Sequence, residues 1–202
     1  MKHDDGTSTV YSLNRTYNIV YIFADNGTPI QALQYVHGTQ ITEEYDQNGN
    51  LTSFKSGSID NNVFDVVADC HGYTFTQNKL WIDNAQVDLL LENDGYSSQV
   101  DEDDASAVIF RDQNGKVVHS SGRNEDGTYT SNAGVQKTQF NVSLDQAGGS
   151  FYTCQPGNTG FVKKNESNCV MDVKLGTVNG NGVRTITDKK EIEQFLNMLK
   201  GK

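Results

Sequence analysis

Four stretches of this chain place Asn-Gly or Asp-Gly between residues that suit strands: FADNGTPI (23–30), YDQNGNL (45–51), FRDQNGKVV (110–118) and NEDGTYT (124–130). No other feature constrains the fold as strongly. Both central positions of a type I′ turn need positive φ, which Asn, Asp and Gly tolerate best, so each stretch predicts a tight hairpin. Gly is abundant at 19 and Pro scarce at 2, as expected for strands joined by glycine turns. ALQYVHGTQITEEY, between the first two turns, reads as further strand and turn, and KSGSIDNN (55–62) as a linker.

Helices are predicted at three places. DVVADCHGYTF (65–75) opens a short helix at or just before Cys70. DNAQVDLLLEND (83–94) has Asp83 and Gln86 at capping-box spacing and Val87, Leu90 and Leu91 on one face. At the end, Asp188 and Glu191 repeat the capping-box spacing. Ile192, Phe195, Leu196 and Leu199 then form a stripe for core packing, and Gly201 stops the helix. Between them, KLWI reads as a short buried strand or turn, and AVIFRD, KVVHSSG, GTYTSNAGV and TQFNVSL as strands. A cysteine-bearing helix, a second helix and then antiparallel strands predict an α+β domain.

The net charge of −10 and pI near 4.7 argue against general nucleic-acid binding, which replaces counterions with basic groups. They argue equally against adsorption to anionic membranes. No apolar stretch reaches the ~20 residues of a membrane helix, so membrane insertion is not expected. MKHDDGTSTV lacks the apolar core of a signal peptide. Cys154 and Cys169 flank a polar loop; pairing them would close ~15 residues, worth roughly 3 kcal/mol in the chain-entropy model, and would leave Cys70 as the unpaired thiol. Three reduced thiols are the alternative.

Cysteine catalysis needs a thiolate, a histidine to take the proton, and a polar group to hold the imidazole. Cys70 at a helix start is placed for a lowered thiol pKa. Of His3, His37, His71 and His119, the last comes from a separate element, with Val117 on its face of the strand and Ser and Gly after it. His71, Gly72 and Tyr73 follow the thiol and are the candidate substrate contacts. No metal is expected: Cys70, His71 and His119 lack the short paired spacing of structural zinc. DEDD (101–104) lacks the glycine and distal glutamate of a calcium loop. GTVNGNGVRTI lacks the strand–glycine–helix context of a phosphate loop, so no cofactor is expected either.

DCHGY resembles the Asp-Cys-x-Gly-aromatic pattern around the nucleophile of NlpC-like cysteine peptidases. SAVIFRDQNGKVVHSSGR is similar to the strand–turn–strand segment that carries the histidine in NlpC-like and CHAP-like amidases. The resemblance implies a papain-like core, with a nucleophile helix packed on an antiparallel sheet, over residues 58–202. It implies Cys70 as nucleophile, His119 as base, and Asn132 (with Ser131 beside it) as the third residue, the nearer Asp126 belonging to a turn. The implied substrate is an amide of peptidoglycan. EEYDQNGNLTSF resembles YD repeats of Rhs-type proteins, making residues 1–57 a β-hairpin extension and suggesting a secreted or periplasm-delivered effector with a cognate inhibitor (immunity) protein. A protease or deamidase toxin acting on a protein, and a non-enzymatic β-rich binding or adhesion module, are the alternatives.

Overall fold

The computed structural model describes residues 1–148, 159–165 and 176–177. The Cys154–Cys169 pair and the helix expected over 188–201 lie outside the described residues. The chain begins with three long strands, β1 (Ser8–Phe23), β2 (Pro29–Tyr45) and β3 (Leu51–Ser58). Two helices follow, α1 (Cys70–Thr76) and α2 (Asn84–Asn93), then strands β4 (Tyr96–Ser98), β5 (Ala107–Arg111), β6 (Val117–Arg123), β7 (Tyr129–Ser131) and β8 (Gln139–Val142). A short helix α3 (Leu144–Ala147) and strands β9 (Thr159–Lys164) and β10 (Gly176–Thr177) complete the described elements. The sheets run β10-β1-β2-β3 and β4-β9-β5-β6-β7-β8, every pairing antiparallel. The domain is α+β, as the pattern of elements predicts.

All four predicted hairpins form, but by a different turn. In each, only the glycine has positive φ: 85° at Gly27, 82° at Gly49, 78° at Gly115 and 84° at Gly127. Each glycine N–H returns to the carbonyl three residues back: Ala24, Asp46, Asp112 and Asn124. This is a type I turn closed by a left-handed glycine, not type I′. In the second and third turns, acid side chains explain the choice. Asp46 Oδ1 accepts from the Asn48 and Asn50 N–H groups, both at 2.8 Å, and Asp112 Oδ1 from Asn114 and Lys116 at 2.8 and 2.9 Å, which holds the intervening residues at negative φ. His3–Gly6 is a fifth turn of the same kind, unnoticed in sequence.

The predicted turn inside 32–45 is absent: β2 is continuous. In its pairing with β1, one irregularity leaves Val36 between pairs Thr16↔His37 and Tyr17↔Tyr35. Gly38 marks a close approach and no turn, since a Cβ there would lie 2.7 Å from the Asn14 carbonyl oxygen. The predicted capping box of α2 is also absent. Gln86 instead accepts the Gln31 N–H at 3.0 Å and ties α2 to β2.

One apolar core is built from Val20, Ala24, Ile30 and Ala32 of the hairpin together with Phe75, Leu80, Ile82, Val87, Leu90, Ile109 and Val117. The core is therefore continuous across residue 57, and the base of the hairpin is one of its walls. Each such buried aliphatic side chain contributes about 1.5–3 kcal/mol. A smaller cluster, Val108, Phe110, Tyr129 and Ala147, covers the other face of the second sheet. The segment leading to α1 crosses the hairpin, with Phe64 edge-on to Tyr11 at 5.5 Å and the Tyr17 hydroxyl donating to the Val66 carbonyl at 2.9 Å.

Candidate active site

Asp69 caps α1. Its Oδ1 accepts the Gly72 N–H at 2.7 Å and the Ile82 N–H at 3.1 Å, so one carboxylate fixes both the helix start and the strand-like stretch after it. Burial raises this carboxyl to about 7, against the opposing effect of those N–H donors. Gly72 is required sterically: a Cβ would lie 1.6 Å from the Leu80 carbonyl oxygen.

Helix α1 lies on β6. The Arg123 N–H reaches the Ser106 carbonyl on the β5 side. By strand alternation the His119 and Ser121 N–H groups point the same way, and those of Ser120 and Gly122 point toward β7. The β6–β7 ladder contains only Gly122↔Thr130 and Arg123↔Tyr129, so it has opened before Ser120. The backbone N–H groups of Ser120, His71 and Cys70 lie near the Cys70 thiol and favour its ionised form. Burial nevertheless dominates, the Asp69 carboxylate adds to it, and the thiol is pushed up to about 12. The lowered thiol pKa expected from a helix start does not arise: the helix has seven residues, and Cys70 is only 7% exposed.

The two faces of β6 carry separate polar clusters. Ser120, paired with Ile109, faces the helices. Its Oγ lies 2.8 Å from His71 Nδ1, 3.1 Å from Thr74 Oγ1 and 3.4 Å from the Cys70 carbonyl oxygen. His71 Nε2 donates to Asn84 Oδ1 at 2.8 Å, which makes Nδ1 the acceptor of the Ser120 hydroxyl. Burial depresses His71 to about 4.

His119, paired with Phe110, lies on the opposite face, the two rings 5.6 Å apart. The strand irregularity beside Arg111 breaks the alternation, so His119 does not share a face with Val117 as the sequence suggested: Val117 joins the helix-side core. His119 Nε2 lies 2.9 Å from both the Ala147 carbonyl and Ser131 Oγ, and 3.2 Å from Ser121 Oγ. A carbonyl only accepts, so Nε2 carries the proton and Nδ1 the lone pair. Burial first, and His71 second, lower His119 to about 4, which leaves it neutral at pH 7.

The expected third residue lies apart from the His119 ring. Asn132 donates to Thr138 Oγ1 at 3.2 Å and Asp65 Oδ2 at 3.4 Å and does not meet His119. Its neighbour Ser131 meets the His119 ring, because alternation along β7 puts Ser131 with Tyr129 on the His119 face. Of the expected substrate contacts, His71 is fully buried and Gly72 is packed under Leu80, so neither reaches solvent. Tyr73 is half-buried, edge-on to the exposed Phe140 at 6.4 Å. A cleft of about 400 Å³ opens beside Ser131, lined also by Ala133, Lys137, Gln139, Val142 and Gln146. Sequence reasoning missed Ser120, Asn84 and the Ala147 carbonyl; the consecutive Ser120-Ser121 after His119 was the available signal for polar groups on both faces.

Among the described residues, no three His, Cys, Asp or Glu side chains converge as metal ligands, and no helix is long and apolar enough to cross a membrane. Comparison with family models, curated proteins and solved structures gives no match.

Proposed function

We propose that this protein is a papain-like cysteine hydrolase that cleaves an amide, with Cys70 as nucleophile and His119 as base. The observation that carries the reading is the thiol at the start of α1 with backbone N–H groups of Ser120, His71 and Cys70 near it, together with the neutral His119 imidazole one residue before Ser120, held through Nε2 by the Ala147 carbonyl and Ser131. His119 Nδ1 takes the thiol proton as Sγ attacks the carbonyl carbon. The N–H groups around the sulfur are donors for the oxyanion. The imidazolium then protonates the leaving amine, and water hydrolyses the thioester. Ser131 and the Ala147 carbonyl fix the ring throughout.

The resemblance of DCHGY and VIFRDQNGKVVHS makes a peptidoglycan stem-peptide amide the substrate, and the tyrosine-rich hairpins fit an exported antibacterial effector with a cognate inhibitor. One observation favours a second reading, a β-rich binding module with an inert packed cysteine: the thiol is buried and held near 12. The test is muropeptide release from purified peptidoglycan, run beside protein-cleavage and ammonia-release assays, with wild type and Cys70→Ala. The hydrolase reading expects release by wild type only. Activity retained in folded Cys70→Ala rejects the mechanism, and activity confined to the protein or ammonia assays moves the substrate. No activity, with Cys70 inert to iodoacetamide, establishes the binding module.

A further inference from the structure

We propose that Arg15 is the anchor of a carboxylate-binding site on the hairpin, separate from the Cys70 site. In a chain of net charge −10, cations are expected to find acids within the fold. Arg111 pairs with Asp88 at 2.6 Å and Arg123 with Asp103 at 3.2 Å. Arg15 alone among the described arginines pairs with no acid. Its guanidinium lies over the Trp81 ring, 5.2 Å from the centroid, and 5.7 Å from that of Tyr17. One N–H donates to the Tyr17 hydroxyl at 3.3 Å. A guanidinium offers five donors, and the other four have no protein acceptor among the described residues.

The rings around it are built in place. Trp81 exchanges backbone hydrogen bonds with Leu33, both at 2.8 Å. Tyr17 is packed edge-on between Tyr35 at 5.7 Å and Trp81 at 6.0 Å, and its hydroxyl is tied to the Val66 carbonyl. The irregularity that leaves Val36 between pairs is what sets Tyr17 opposite Tyr35. All four residues are partly exposed, so solvent reaches the cluster. A planar cation stacked on fixed rings, with its N–H edge uncommitted, is shaped for the two oxygens of a carboxylate. Arginine, tryptophan and tyrosine are also the residues that carry most energy in recognition surfaces.

The probes present the carboxylate on a peptide, either as a free chain end or as an acidic side chain. Trp81 is the only tryptophan in the chain, so its fluorescence reports the site directly. The full chain carrying Cys70→Ala, which blocks hydrolysis of a probe, is titrated with four peptides. These are Ala-Ala, its C-terminal amide, and blocked hexapeptides of Glu and of Gln. A saturable response is expected from at least one acidic probe and from neither neutral counterpart. Response to Ala-Ala alone identifies a chain end, and response to the Glu hexapeptide alone identifies acidic side chains. Arg15→Gln should abolish the response, and Arg15→Lys, which keeps charge but not planarity, should weaken it about tenfold. Circular dichroism confirms that both variants are folded. Equal response to neutral probes, no saturable response to any carboxylate, or an unchanged response in Arg15→Gln overturns the site. Hydrolysis at Cys70 is not measured here, so its success or failure leaves this outcome untouched.

Discussion

His71 and His119 are both buried, both depressed to about 4 by that burial, and separated by a single strand. Their partners differ. Both ring nitrogens of His71 are consumed by side chains of the scaffold, Ser120 on β6 and Asn84 on α2, so the ring works as a buried rivet between sheet and helices. His119 Nε2 is directed at the Ala147 carbonyl and two serine hydroxyls, which fixes its tautomer with the proton on Nε2. The same depressed pKa therefore accompanies two different sets of partners, and on the proposed function only His119 acts as a base.

The strongest test replaces each ring in turn. His119→Ala should reduce hydrolysis about 10²–10⁴-fold, the usual contribution of a general base, in a protein that still folds. His71→Ala should act mainly on folding. It removes a fully buried ring and its hydrogen bonds to the buried Ser120 hydroxyl and the exposed Asn84 amide and leaves a cavity, a cost of about 1–3 kcal/mol read by urea unfolding. If His71→Ala leaves stability intact and abolishes activity, the roles of the two faces are reversed.

Acid titration addresses the pair together. Both histidines have folded values of about 4 against an ordinary 6.5, so the unfolded chain takes up the protons first. Their contribution is complete above pH 6.5 and is lost as pH falls toward 4. Asp69 works in the opposite direction. Its folded value of about 7 against 3.8 means that the native state binds the proton, a contribution present below 3.8 and lost as pH rises to 7. Two protons against one leave a net loss on acidification of about 1.4 kcal/mol per pH unit between roughly pH 6.5 and 4. Unfolding free energy measured across that range should show this slope. His119→Ala should flatten it to near zero; an unchanged slope would mean that His119 titrates normally.

The hairpins, both helices and the α+β class were legible because each rests on local chemistry: Gly27, Gly49, Gly115 and Gly127 are the residues that adopt positive φ, and Asp69 caps α1 as its position suggests. The details that failed depend on tertiary context. Turn type was decided by Asp46 and Asp112 accepting from nearby N–H groups, and the face of His119 by a one-residue irregularity that spacing cannot reveal. Cys70 and His119 could be chosen as chemical types, but the thiol's high pKa comes from burial, which has no signature in DCHGY. The choice between Asn132 and Ser131 depended on a face assignment that alternation along β7 supplies only once Tyr129 is known to lie in the core cluster.

That choice gives a smaller test of the same face. Ser131→Ala removes one of three oxygens around His119 Nε2 and should lower the hydrolysis rate several-fold with little change in stability. Asn132→Ala should leave the rate nearly unchanged. Its cost falls on the contacts with Asp65 and Thr138, about 1 kcal/mol by thermal unfolding, partly offset because its Oδ1 is already buried without a partner. The reverse ranking of rates would restore Asn132 as the orienting residue.

The smallest effect concerns the charge shared by the two faces. Asp69 caps α1 through Oδ1, a role that asparagine can also fill. Asp69→Asn should therefore preserve the helix while removing the carboxylate that adds to the elevation of the Cys70 thiol. Burial, the larger cause, stays. The midpoint of the pH profile for Cys70 alkylation should accordingly fall by about one unit or less, and only above pH 7, where Asp69 is ionised, should the variant react faster than wild type. The same substitution removes the proton uptake that opposes the histidines, so the acid slope of unfolding should steepen toward twice its wild-type value. A faster reaction at all pH values would instead mean that the substitution loosens α1 and exposes the thiol. The two measurements together separate charge from packing.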